Sequence, residues 1–176
     1  MTTYVAFLRA INLGATRKFP KDSIVAATAA AGFSGVATHI NTGNVRLQTR
    51  LRSRARIEGM LEAAYLTDRG FEVPTFVYTT DELRSVADDA ARLAAGYEGR
   101  HYVSLLKQEP PVTARAAMEA RATEAERVHV CGRAVHLLLR EGYGEASISN
   151  ATVEKLVGVA TNRNLTVIRA LIQKWC

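Results

Sequence analysis

Apolar residues recur along the first half of the chain at two different spacings. Continuous or alternating runs rich in β-branched and aromatic residues predict strands, and apolar residues three and four positions apart predict helices. Glycine and proline mark most of the boundaries between them. In chain order we predict a strand at 4–11, a helix at 20–31, strands at 36–41 and 44–49, a helix ending before Gly70, and a strand at 74–79. This β-α-β-β-α-β order is typical of the ferredoxin-like split fold.

The second half of the chain shows the same kinds of pattern less regularly. We predict a helix to residue 93 capped by Thr80-Asp81, a strand at 101–107, a helix at 112–121, strands at 127–131 and 134–140, a loop at 142–144, a helix at 150–157 capped by Asn150, and a last helix capped by Asn162 or Asn164. No low-complexity linker separates the halves. We therefore expect an α+β protein of two packed subdomains. Residues 1–80 form the ferredoxin-like one, and residues 81–176 form a related α/β-sheet unit with C-terminal helices.

A polar cluster follows the first predicted strand, and a second polar cluster lies in the predicted hairpin. In a ferredoxin-like sheet the first strand ends at the same edge as the turn between the second and third strands. Asparagine, threonine, glycine and basic residues of the two clusters should therefore lie together. The predicted ligand-binding residues at this edge are Arg9, Asn12, Gly14, Lys18, His39, Asn41, Thr42, Gly43 and Asn44.

Positive charge is concentrated in the first half of the chain. The net charge is +6, and residues 1–80 hold ten Arg and Lys against five Asp and Glu. Clustered basic residues indicate an anionic partner, or alternatively a solvated surface. The run from Arg50 to Arg56 is expected at the opposite sheet edge, so it is separate from the predicted site. Two structural alternatives also stand: Arg9 pairs with an acid of the second half, and the hairpin residues serve only the turn.

Several function classes lack their sequence motifs. The four histidines and two cysteines show no metal-ligand spacing, so no metal site is predicted, and His129 and Cys131 are read as core-filling residues. No P-loop, dinucleotide fingerprint or serine-hydrolase elbow is present, and no cofactor is assigned. No apolar stretch is long enough to span a membrane, and the chain does not start as a signal peptide does. We therefore expect a cytoplasmic protein without a membrane partner.

The order of the motifs resembles a known family. The segments Tyr4–Gly14, Phe19-Pro20, Ile40–Val45 and Ala160–Asn164 are similar to those of the bacterial domain-of-unknown-function family 1697. The resemblance implies two packed α+β subdomains, the first ferredoxin-like. It also implies that Arg163 and Asn164, before the last helix, belong to the same signature as Arg9 and Asn12 and form a third wall of the site.

Three functions remain open from the sequence. The first is binding of an anionic ligand, a phosphorylated small molecule or nucleic acid, at the predicted edge. The second is an enzyme of unrecognised class in which Arg9 or Arg163 stabilises negative charge and His39 transfers protons. The third is an interaction module whose signature residues are structural. Neither the reaction, if there is one, nor the oligomeric state follows from the sequence.

Overall fold

The chain divides into two units, each built on a four-stranded antiparallel sheet, in a computed structural model that describes residues 1–142 and 144–176. The first unit comprises Met1–Glu82 with Trp175, and the second comprises Leu83–Lys174 with Cys176. Within the described ranges, no helix combines the length and apolar character needed to cross a membrane. Tyr143, in the loop predicted at 142–144, lies outside the described residues.

The first unit has the predicted ferredoxin-like topology. Its elements are β1 (Thr2–Leu8), α1 (Lys21–Ala30), β2 (Ser34–His39), β3 (Asn44–Thr49), α2 (Arg54–Arg69) and β4 (Thr75–Thr79). The strand order in the sheet is β2-β3-β1-β4, with antiparallel pairing throughout. The end of β1 therefore lies beside the β2–β3 turn, because Phe7 is paired with Asn44.

One face of this sheet packs against α1 and α2. Leu8 of β1, Ile24 of α1 and Leu61 of α2 belong to a single buried apolar cluster. Burying a side chain of this size contributes about 1.5–3 kcal/mol. Tyr65 of α2 is also fully buried, and its hydroxyl lies 2.8 Å from the hydroxyl of Thr28 in α1. This core holds α1 in place, and with it the loop that joins α1 to β1.

The first strand is shorter than its apolar pattern predicts. The sequence pattern predicts an extended chain over residues 4–11. Instead β1 ends at Leu8, because Ala10 and Asn12 have positive φ angles of 57° and 54° and turn the chain. Ile11 consequently enters the cluster that contains Leu8.

The second unit repeats the topology of the first. With α3 (Thr80–Leu93) before it, the order is β5 (Arg100–Leu106), α4 (Val112–Glu119), β6 (Glu126–Cys131), β7 (Ala134–Leu139), α5 (Asn150–Val157), β8 (Ala160–Asn164) and α6 (Leu165–Trp175). Its strand order is β6-β7-β5-β8. The sequence did not predict β8, because Ala-Thr-Asn-Arg-Asn contains no apolar alternation. The strand exists through pairing with β5.

The repeat extends to the strand register and to the helix caps. Tyr4 of β1 is paired with Thr79 of β4, and Tyr102 of β5 is paired with Asn164 of β8. Thr79 and Asn164 then cap α3 and α6 with side-chain oxygens. The predicted cap at Thr80-Asp81 is therefore wrong by one residue. The cap of α5 is likewise Ser149 instead of Asn150.

Candidate functional site

Asn12 connects the loop after β1 to the β2–β3 turn. Its Nδ2 donates to the carbonyl oxygens of Asn41 at 2.8 Å and Phe19 at 3.3 Å, and its Oδ1 accepts from the Phe19 N–H at 2.9 Å. Asparagine tolerates the left-handed conformation that this position adopts. The amide is thus engaged with main-chain groups of its own unit. Asn12 shapes the predicted site by bringing the two loops together.

Arg17 holds the same loop from its other side, and the sequence did not single it out. Its Nε donates to the carbonyl of Ala10 and its Nη2 to that of Glu72 at 2.6 Å. The guanidinium also lies over the ring of Phe71, 4.5 Å from the centroid. These contacts anchor the loop to the segment before β4.

The residues of the β2–β3 turn satisfy structural requirements. Asn44 is fully buried, and its Nδ2 donates to the His39 carbonyl at 3.0 Å and to the Thr42 hydroxyl at 2.9 Å. Gly43 has φ +75°, and its carbonyl accepts from the Leu8 N–H at 2.7 Å. A polar residue that is buried and hydrogen-bonded in this way stabilises the turn. These positions therefore have a role in the turn, and the binding of a ligand by the same residues stays a prediction.

A cleft of about 670 Å³ opens next to these loops, at the start of α1. Four predicted site residues line it, together with the first residues of α1. The lining residues are Asn12, Gly14, Lys18, Phe19, Pro20, Lys21, Asp22 and Asn41. From the sequence, Lys21 and Asp22 are only the start of a predicted helix, so their place in the cleft was not predicted.

Most of the polar groups along this cleft are positively charged or can donate a hydrogen bond. Lys18 and Lys21 are exposed and form no ion pair within the part of the chain that the structure describes. Pro20 at the N-cap provides no side-chain acceptor, so the first N–H groups of α1 lack the partner that a capping side chain would supply. Asp22, in the first turn, adds one negative charge.

Arg9 and His39 are not among the residues lining this cleft. Arg9 is half-buried, and its backbone N–H donates to the Pro74 carbonyl at 2.9 Å. His39 is half-buried and lies edge-on to Trp175, with 6.2 Å between the ring centroids. A catalytic role for either residue stays a prediction.

Arg163 and Asn164 belong to the second unit. Arg163 is buried and donates from Nη1 to the Thr161 hydroxyl at 2.9 Å and the Asn162 carbonyl at 2.8 Å. Burial lowers its pKa to about 10, so it stays charged at neutral pH. Asn164 uses Oδ1 to cap α6, accepting from the Thr166 N–H at 2.8 Å. That these residues form a third wall of the predicted site stays a prediction.

Asn164 also lines a cleft of about 400 Å³ within the second unit. Arg100, His101 and Arg169 line the same space. His101 Nε2 lies 3.0 Å from His136 Nδ1, and burial lowers the pKa of each histidine to about 4. Both rings are therefore neutral at pH 7, and one of them donates an N–H to the other.

The second unit also contains a group of potential metal ligands that spacing analysis missed. One donor atom each from Asp89 in α3, Cys131 in β6 and His136 in β7 lie within 4.8 Å of one another. From the sequence, Cys131 is expected to fill the core and no metal site is predicted. The three residues are far apart in sequence, and α3 supplies one of them, so no short motif could reveal the group.

Comparison with known proteins gives the family and the fold. The chain is similar to a solved structure titled "The structure of conserved bacterial protein SP0830 from Streptococcus pneumoniae", with a TM-score of 0.76 and 17% identity over 99% of this chain and 98% of that one. At this identity the likeness shows the fold alone. No curated protein matches the chain. The family model described as "Protein of unknown function (DUF1697)" matches residues 1–136, and the chain therefore belongs to this family.

Proposed function

We propose that the first unit binds a small phosphorylated molecule in the cleft at the start of α1. The observation that carries the proposal is that two exposed ammonium groups, those of Lys18 and Lys21, line the same cleft as the N-terminus of α1, which has no side-chain cap. Backbone N–H groups and the helix dipole both favour an anion at such a position.

The hydrogen bonds of the Asn12 side chain support the proposal because they fix the shape of the cleft before a ligand binds. The Asn12 amide joins the loop to Asn41 on one side and to Phe19, next to the start of α1, on the other. A preformed site loses less conformational entropy when a ligand binds. The asparagines and glycines of the motif thus shape the site, and the lysines and the helix N–H groups provide the donors.

The distribution of charge favours a small ligand over nucleic acid. A cleft of this volume is of the size that small-molecule sites have. The exposed Arg50 and Arg52 follow the far end of β3, and a six-residue strand separates them from the β2–β3 turn by about 17 Å. They are therefore too far away to contact the same phosphate group.

Titration of the isotope-labelled protein with inorganic phosphate and with ribose 5-phosphate tests the proposal by NMR. We expect saturable shifts of the backbone amides of Lys21, Asp22 and Ser23. The double variant Lys18→Ala/Lys21→Ala should bind ribose 5-phosphate at least roughly tenfold more weakly, because each lost charge-assisted contact contributes about 1.5–3 kcal/mol.

The matched control is Arg50→Ala/Arg52→Ala, which removes the same charge from the same unit. It should leave the affinity for ribose 5-phosphate within about twofold, since neither arginine reaches the cleft. No saturable shift with either probe would refute the proposal. Equal weakening in the two double variants would do so as well, because it would indicate attraction by net charge alone.

A further inference from the structure

We propose that the second unit holds a divalent transition-metal ion of the zinc class between Asp89, Cys131 and His136. The three residues come from α3, β6 and β7, so the site joins a helix to two adjacent strands of one sheet. It is independent of the anion site in the first unit.

The spacing of the donor atoms is close to what a metal requires. Ligand atoms at about 2.0–2.3 Å from zinc in a tetrahedron lie roughly 3.3–3.8 Å apart. The carboxylate, sulfur and ring-nitrogen atoms here are within 4.8 Å of one another. Shifts on the order of 1 Å would therefore bring them into coordination geometry. Cys131 and Asp89 are half-buried, so their side chains have room to adjust.

His136 supplies a second, independent observation. Its Nε2 has no hydrogen-bond partner among the described residues. Solvent cannot supply one either, because the residue is fully buried. Buried polar atoms are nearly always paired, so such an atom requires an explanation. Its Nδ1 is already engaged with His101 at 3.0 Å, which leaves Nε2 as the nitrogen available for a ligand.

His101 is placed as a positioning residue for this ligand. When His136 donates from Nδ1 to His101 Nε2, the neutral ring carries its lone pair on Nε2. Metal-bound histidines commonly donate their other N–H to a neighbour in this way.

The guanidinium of Arg92 is the positively charged group next to the proposed ligands. Its Nη2 donates to Asp89 Oδ1 at 2.9 Å, and its positive charge also acts on the nearby Cys131 thiol. The side chain is 63% exposed, so it can turn into solvent when a metal ion takes its place. The thiol then loses its proton to water as the sulfur–metal bond forms.

The ligand types identify the class of metal. A mixed set of thiolate, imidazole and carboxylate suits Zn²⁺ or Co²⁺, whereas Mg²⁺ and Ca²⁺ prefer oxygen ligands alone. Three protein ligands would leave a fourth position for water. The site would therefore be open to a further ligand on the metal.

Co²⁺ titration of the metal-free full-length protein tests this proposal. We expect one equivalent of Co²⁺ to produce a thiolate-to-cobalt charge-transfer band, and one equivalent of Zn²⁺ to remove it. Cys176→Ser, which deletes the other thiol, is the matched control and should retain the band. Cys131→Ser should abolish it, and Asp89→Asn should weaken Co²⁺ binding at least about tenfold.

A variant of His136 could fail to fold, so His101→Gln is used to examine the histidine pair. It should retain the charge-transfer band and bind Co²⁺ about tenfold to a hundredfold more weakly, because the ligand loses its positioning partner. The proposal is overturned if the wild-type protein gives no band, if the band survives Cys131→Ser, or if Cys176→Ser removes it. An unchanged affinity in His101→Gln would refute the positioning role.

Discussion

Gly43 lies where the β2–β3 turn approaches the end of β1 most closely. A Cβ atom at this position would lie 2.7 Å from Leu8 Cβ and 2.9 Å from Ile11 Cδ1, and φ is +75°. We expect Gly43→Ala to lower the free energy of unfolding by about 2–4 kcal/mol, through left-handed strain and overpacking together. Urea denaturation measures this loss.

Gly14 provides the matched control for Gly43. It also has a positive φ, +63°, but a Cβ there would meet nothing within 4 Å. Gly14→Ala should therefore cost only about 1 kcal/mol, the conformational part of the effect. Equal losses of unfolding free energy in the two variants would show that the close approach between the turn and β1 does not add to the cost of a Cβ atom at Gly43.

At the residue scale, the sequence predicted which two loops lie together better than it predicted what their residues contact. The polarity of the segments around Asn12 and Asn41 pointed correctly to two neighbouring loops, because ferredoxin-like topology brings them together. It did not reveal that the side-chain amide of Asn12 bonds main-chain groups, or that the amide of Asn44 bonds the His39 carbonyl and the Thr42 hydroxyl. Hydrogen-bond saturation depends on the local loop geometry, which composition does not encode.

At the scale of elements, glutamates from helices satisfy the N–H groups of edge strands. Glu58 of α2 is buried, and its carboxylate accepts from the Val77 N–H of β4 at 2.9 Å. A covered edge strand cannot easily pair with another chain. Three further strand N–H groups donate to a helix glutamate in the same way: Thr75 to Glu62, Val130 to Glu119, and Ala160 to Glu154.

Replacing Glu58 should therefore weaken β4 locally. We expect Glu58→Ala to cost about 1–3 kcal/mol, because the Val77 N–H loses its acceptor in a buried setting. Native-state hydrogen exchange should show faster exchange of the Val77 amide. Glu58→Gln retains an acceptor oxygen, so its loss should be smaller. If Glu58→Ala left the exchange of Val77 unchanged, the carboxylate would not be needed at this edge.

Local patterns predict almost every element but not β8. The β2–β3 hairpin was found because turn residues separate two apolar runs. In β8, polar residues hold an extended conformation through long-range pairing, for example Arg163 with Val103 of β5. The repeated register of the two sheets shows that β8 corresponds to β4. A comparison of the two halves by topology would have predicted it, whereas a scan for periodicity could not.

At the scale of the whole molecule, the positive charge of the chain raises the question of nucleic acid. The exposed residues Arg50 and Arg52 add to the charge of Lys18 and Lys21, but they follow the other end of β3. A ligand confined to the cleft contacts two cationic side chains, whereas a polynucleotide could contact both ends of the strand. The salt dependence of binding separates these cases, because it counts the phosphates that are neutralised.

We expect ribose 5-phosphate to lose roughly tenfold or less in affinity between 50 and 200 mM salt, because its single phosphate group has no condensed counterions to release and is affected only by ionic screening. A single-stranded oligonucleotide bound along both ends of β3 would engage these four basic residues and lose roughly fiftyfold. Arg50→Ala/Arg52→Ala would flatten that steep dependence. Isothermal titration at several salt concentrations measures both ligands. Tight oligonucleotide binding with the steep dependence would identify nucleic acid as the ligand and exclude the small-molecule assignment.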